Sequence, residues 1–281
     1  MANFRQLSDP QVARLTKLYG LAEKDILNEV SKALLKNPDR KLTALKGMLQ
    51  NVQQTRAELL AGSKQWVEEI VPQFYEAGVE GVDAALGMLE YGAVHQEAMQ
   101  VLADQTFSAF QEIDHVIGRR TDDLYRSLAL ENSRANVAGY AGWRQVADSY
   151  QKDLAERGVT GFVDKSGREW NMETYSEMVA RTSTRQIMNE GTKNRLQEHG
   201  HDLAKISSNE SEKTCDVCEE WAGEVVSLSG DTDGYPTLDE AEEAGVFHPN
   251  CTHTLGPAIE EELANKAEQA TDEETQTDEE S

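Results

Sequence analysis

The chain has 281 residues, with 27 Lys and Arg against 51 Asp and Glu, for a formal net charge of −24 at pH 7. At about 150 residues per domain that length allows roughly two domains, and it is ample for a hydrophobic core. So acidic a surface, with a pI near 4.6, repels phosphate backbones and anionic bilayers, which disfavours a general nucleic-acid or membrane-surface binder. The sequence holds no run of 18 apolar residues, so no bilayer-spanning helix is expected.

Met1-Ala2-Asn3-Phe4-Arg5 lacks the basic region and apolar stretch of a signal peptide, and synthesis in a cytoplasm without export is the expectation. Residues 1–157 read as helix after helix. Asp9-Pro10 has the form of an N-cap followed by proline at the first helical position, and Val12, Leu15, Leu18, Tyr19, Ile26, Val30 and Leu34 follow at helical spacing until Asn37-Pro38. A second helix carries Leu42, Leu45, Met48, Leu49 and Val52. A third opens near Ser63 with Trp66, Val67, Ile70, Phe74 and Tyr75, and Pro72 is expected to kink it. Gly78, Gly81, Gly87 and Gly92 then punctuate the chain. The period resumes through Val101, Leu102, Phe107, Phe110, Ile113 and Ile117 to Leu124, Leu128 and Leu130, and a last helix is expected over 142–157. Such stripes are the ordinary mark of a helical core, with self-association as the functional alternative.

The texture changes at Gly158. Residues 159–163 and 168–170 read as a hairpin around Asp164-Lys165-Ser166-Gly167. A helix is expected from about Met172 to Glu198 and closed by Gly200, then short strands at 203–206 and 225–228. Thr237-Leu238-Asp239-Glu240 has capping-box spacing and opens a short helix ending near Gly245. Residues 260–281 hold ten acidic residues against Lys266 alone and no aromatic residue, a composition that cannot offset its ordering entropy. The expected fold class is α+β and predominantly α. A helical oligomerisation region spans 1–157, a small mixed domain with a Cys/His knuckle 158–258, and an acidic disordered tail 259–281.

All three cysteines fall in the last third, as Cys215-Asp216-Val217-Cys218 and His248-Pro249-Asn250-Cys251-Thr252-His253. An odd, low count makes no disulfide framework. Two donors three positions apart in a tight turn aim at one point, and a second such turn completes a tetrahedron, as in a zinc ribbon or treble clef. Cys215, Cys218, His248 and Cys251 are the expected ligands of one structural zinc per chain, with His253 as alternative ligand or supporting group. Three thiolates and one imidazole would saturate the metal. A redox dithiol leaves Cys251, His248 and His253 unexplained, and a zinc deaminase lacks its His-x-Glu motif. His95 and His115 read as half-buried polar residues, and His199 and His201 as capping groups at a helix C-terminus. With no Gly-rich phosphate loop, G-x-S-x-G or H-E-x-x-H in the sequence, nothing requires an enzyme.

The ordered run of Arg181-Thr182-Ser183-Thr184-Arg185, Cys215 to Cys218, Trp221-Ala222-Gly223, Tyr235-Pro236-Thr237 and Phe247-His248-Pro249-Asn250-Cys251 resembles the C-terminal domain of the phage minor capsid protein 2 family. That family is related to the MuF-type head-morphogenesis proteins. Thr252 departs from the arginine usual there. The resemblance implies a tailed-phage or prophage virion protein, made in the host cytoplasm and incorporated near the portal vertex during procapsid assembly. Its partners would be the portal, the major capsid protein or a scaffolding protein, with self-association besides. Direct DNA binding does not carry over, because phosphate contacts need a basic face. Arg181, Arg185 and Trp221 are the candidate partner contacts, with salt bridging and knuckle packing as their structural alternatives. Two other functions compete: an acidic module that mimics DNA, and a cryptic metal-dependent enzyme using Arg181, Thr182, Arg185, Glu219 and Glu220.

Overall fold

The computed structural model describes residues 4–35, 42–86, 94–138, 162–163, 169–208 and 215–258. Helices α1 (Phe4–Leu35), α2 (Leu42–Leu86) and α3 (Val94–Ala138) lead into a hairpin of β1 (Phe162–Val163) and β2 (Glu169–Trp170). After α4 (Met172–Glu198) come β3 (Leu203–Ile206), α5 (Asp216–Glu220), β4 (Val225–Ser227), α6 (Leu238–Ala244) and β5 (Leu255–Pro257). The protein is predominantly helical, with a small three-stranded sheet and a Cys/His cluster in its C-terminal region, the expected fold class.

Packing divides the chain into two units, one from Asp9–Glu69 and Ala103–Ala180, the other from Met1–Ser8, Ile70–Leu102 and Arg181–Ser281. The first is helix on helix. Leu15, Tyr19, Ile26, Leu45, Trp66, Phe110, Ile113 and Ile117 are fully buried there. Trp66 meets the Phe110 ring edge-on at 5.8 Å and donates its indole N–H to the Gln11 carbonyl at 3.0 Å. Tyr19 shares a hydrogen bond with Ser63 at 2.9 Å, and Arg56 grips Asp114 with two bonds of 2.8 Å. Each buried polar group in these pairs finds a partner, so the apolar stripe closes without a large desolvation cost.

Several expected breaks are absent. The first helix begins at Phe4 rather than at Asp9-Pro10, because Phe4 is buried edge-on against Phe74 at 6.3 Å. The second and third helices are one, α2, since the residues between them are good helix formers and Leu59 is buried. The helix runs on through Pro72. Burial of Ile70, Val71, Phe74 and Tyr75 offsets the lost backbone bond, a cost of about 3 kcal/mol. Gly78 and Gly81 likewise sit inside α2. Val101 and Leu130, placed in the apolar stripe of α3, are 53% and 58% exposed. The helix expected at 142–157, the turn at 164–167, the domain boundaries at 157–158 and 258–259 and the acidic tail lie outside the described residues.

In the second unit the sheet order is β4-β3-β5, antiparallel throughout. Its buried face, Ala204, Ile206, Val226 and Leu255, packs with Val82, Leu196, Leu238, Ala241 and Val246. Helix α4 has the expected bounds, and Gly200 at φ +74° ends it while His201 N–H returns to the Leu196 carbonyl. The capping box forms: Thr237 Oγ1 accepts from Glu240 N–H, and the Glu240 carboxylate accepts from Thr237 N–H. Register decides where the cluster lies. Lys205 pairs with Val225 and Ile206 with Leu255, so the end of β3 and the starts of β4 and β5 share one edge. Both Cys/His turns immediately precede a strand that starts there.

Candidate metal centre

Two tight turns build the cluster. At the N-terminus of α5, the Cys215 side chain accepts from Cys218 N–H at 3.4 Å, which holds the two sulfurs on one side of the turn. In the second turn Cys251 N–H donates to the His248 carbonyl at 3.0 Å, with Pro249 at the second position and Asn250 at φ +67° in the third. A third residue with positive φ is what a type II turn demands, and Asn tolerates it best after Gly. Phe247, at φ +61°, carries a further left-handed backbone into this turn. His-Pro-Asn-Cys is therefore a turn whose outer residues, His248 and Cys251, converge.

The five candidate donors fall into two close triads, and the expected four-ligand set is divided between them. Cys215 Sγ lies 3.3 Å from His248 Nε2, Cys218 Sγ 3.7 Å from Cys251 Sγ, and Cys251 Sγ 3.5 Å from His253 Nδ1. They form two overlapping donor sets that share Cys218, namely Cys215, Cys218 and His248, and Cys218, Cys251 and His253. Cys218, Cys251 and His253 are buried. This Cys/His group could hold a metal ion.

Its chemistry fits one. His248 Nδ1 is 2.8 Å from the Pro249 carbonyl, which can only accept, so Nδ1 carries the proton and Nε2 presents its lone pair to the thiols. Burial, with Cys215 and Cys251 alongside, pushes the Cys218 thiol up to about 12. A thiol so shielded gives up its proton when a cation takes the proton's place. Burial, then His248, Arg5 and Arg185, lower His253 from its ordinary value, which disfavours the charged imidazolium. His253 Nε2 is buried without a hydrogen-bond partner among the described residues.

The other candidates separate. Arg185 is buried at 5% exposure and donates Nη1–H to the His248 carbonyl at 3.0 Å, so it belongs to the cluster's wall. Trp221 caps α5 and packs, half-buried, on the apolar core of the unit. Arg181 is half-buried on α4. Thr182 Oγ1 accepts from Asn250 N–H at 3.4 Å, while Glu219 and Glu220 are exposed. Of the two histidines read as half-buried, His115 is exposed and His95 is buried at 1%, while His199 and His201 are exposed. Two features were missed from sequence. Arg5, at the start of α1, donates Nη2–H to Thr252 Oγ1 at 3.1 Å. Asp202 ties the loop after β4 by accepting from Ser227, Ser229 and Thr232. Neither Arg5 nor Asp202 lies in a motif, and only contacts across many residues expose them.

Long helices and a small three-stranded sheet beside a Cys/His cluster define a predominantly helical α+β protein. The chain matches the model of the phage minor capsid protein 2 family over residues 5–281, and it belongs to that family. It is also 27% identical over 152 residues to a structural protein of Lactococcus phage LL-H. That match covers 51% of this chain and 40% of the relative, so the chain spans well under half of that protein's length. No solved structure matches it. By family the chain is thus a minor capsid protein of a bacteriophage. Among the described residues no helix is long and apolar enough to cross a membrane.

Proposed function

We propose that this minor capsid protein acts in procapsid assembly near the portal vertex, contacting the portal and the capsid or scaffolding shell. Family membership over nearly the whole chain is the observation that carries this reading. The helical region, residues 1–157, would serve self-association or portal docking, and the role is structural rather than catalytic. Mass spectrometry of purified particles and co-purification with the cognate portal test it. Presence at a few copies per particle with portal binding is expected, and absence from particles overturns it.

Within that role, the Cys/His unit is held by one structural zinc bound by Cys215, Cys218, Cys251 and His248. His248 is favoured over His253 by its partner: its Nδ1–H is anchored on Pro249, as the second nitrogen of a ligating imidazole usually is. His253 Nδ1–H then donates to the Cys251 sulfur from outside the tetrahedron. A metal so coordinated keeps no open position for water and supplies folding energy rather than chemistry. Metal content per chain, measured on protein purified without chelator, tests this reading. About one zinc is expected, and metal-free protein with reactive thiols overturns it.

A further inference from the structure

Arg185 is a buried cation without a carboxylate in ion-pair contact among the described residues. Its guanidinium donates one N–H to the His248 carbonyl at 3.0 Å and lies 5.4 Å above the Phe247 ring, and its Nε finds no partner among them. Glu242 attracts it only through space, whereas the Cys251 sulfur both attracts it and accepts from it, with Cys218 attracting it from further off. Guanidinium does not lose its proton inside proteins, and an unbalanced buried charge costs several kcal/mol, so it needs a negative partner. Neutral thiols are no such partner. Residues 215–258 contain ten Asp and Glu and no Lys or Arg, so the cations beside the cluster, Arg185 from α4 and Arg5 from α1, come from elsewhere in the chain.

We propose that Arg185 is the counter-charge of a metal–thiolate centre, and that it selects a three-thiolate ligand set. The inference rests on the reading of the cluster as a metal site. Three thiolates and one neutral imidazole around a divalent cation leave one net negative charge, which one guanidinium balances. Two thiolates and two imidazoles around the same ion are neutral and would leave Arg185 only the through-space attraction of Glu242. Cys215, Cys218 and Cys251 therefore all bind as thiolates, whichever histidine is the fourth ligand. Arg185 touches no open coordination position. It is a positioning residue that acts on the charge of the sulfurs and, through the His248 carbonyl, on the turn that presents His248 and Cys251.

The test is titration of the metal-free full-length protein with Co(II), read by its thiolate-to-metal charge-transfer band and by competition with a chelator. Arg185→Gln removes the charge, and Arg185→Lys keeps it. The wild type should bind one Co(II) with the band intensity of three thiolates. Arg185→Gln should bind roughly 10–100-fold more weakly, with Arg185→Lys restored to near the wild-type affinity. Equal affinity in wild type and Arg185→Gln overturns the inference and leaves the metal reading standing. So does equal weakening in both variants, which would make Arg185 a packing group, or a two-thiolate spectrum. A wild type that binds no Co(II) removes both readings.

Discussion

His95 Nε2 on α3 stands 3.0 Å from Glu198 Oε2 on α4, and because the carboxylate only accepts, that nitrogen carries the proton. The other ring nitrogen, 2.8 Å from the Tyr75 hydroxyl on α2, then accepts from it, and Tyr75 in turn accepts from Asn194 at 2.9 Å. Arg195 adds a bond of 2.8 Å to the same Glu198 oxygen and one of 2.6 Å to Asp83. Three helices of one unit are thus tied through a buried imidazole and a buried guanidinium.

That tie is pH-sensitive in a defined direction. Hydrogen bonds from His95 and Arg195 hold the Glu198 carboxyl at about 2, against 4.5 for a free glutamate. A carboxyl depressed by folding contributes stability that is full above its unfolded value and is lost as pH falls through the folded one. Urea midpoints should therefore drop between about pH 5 and pH 2, with a shallower slope in Glu198→Gln. Identical slopes in the two proteins would refute the assignment. At neutral pH Glu198→Ala should cost about 1–3 kcal/mol by removing the carboxylate that accepts from buried His95 and Arg195.

Gly78 and Gly191 mark a close approach of α2 and α4. A Cβ on Gly78 would stand 2.2 Å from the Met188 carbonyl oxygen, and one on Gly191 2.3 Å from that of Tyr75. Backbone cannot yield as a side-chain tip does, so the helices would have to separate. Gly78→Ala and Gly191→Ala should each lose about 1–3 kcal/mol or more. Gly47, with open space around its Cα, is the internal control and should tolerate alanine. Thermal melts of the three variants decide the matter.

Asp202 should act as the staple of the loop that follows β4. Burial opposes its ionisation, but bonds from the Ser227, Ser229 and Thr232 hydroxyls and from Ser229 N–H hold the carboxyl at about 2. Asp202→Ala removes the acceptor for all of them, with an expected loss of about 2 kcal/mol. Amide exchange at residues 228–232 should quicken in the variant at neutral pH. In the wild type the same change should set in only on acidification toward pH 2.

Removal of the proposed metal should loosen the sheet and spare the helices of the other unit. Chelation, or Cys251→Ser, should raise amide exchange in β3, β4 and β5, with far-UV helical signal mostly retained. Unchanged exchange after complete chelation would show that hydrogen bonds alone hold the sheet edge.

The local rules that worked were those with a short physical range. Met172–Glu198, Leu203–Ile206, the capping box at Thr237 and the stop at Gly200 are all set by neighbouring side chains and backbone conformations, and the structure repeats them. The meeting of the two Cys/His turns was legible because each needs only four residues to form. Punctuation read from Gly78 and Pro10 failed. A glycine in a helix can mark a chain break or a close helix crossing, and a proline's lost bond can be outweighed by burial around it. The sequence cannot show which applies without the facing helix.

By itself, then, the amino-acid sequence determined the helical character, strands β3 and β4 but not β5, the cysteines and histidines of the two turns, and the family. Each is written in local spacing or in an ordered set of motifs. The tertiary structure alone decided that Arg185 lies inside the cluster, that Arg5 reaches Thr252 and that His95 is buried between Tyr75 and Glu198. Those contacts join residues 20 to 247 positions apart. No periodicity encodes such pairs, because they form only when burial of several separate apolar faces brings distant segments to one place.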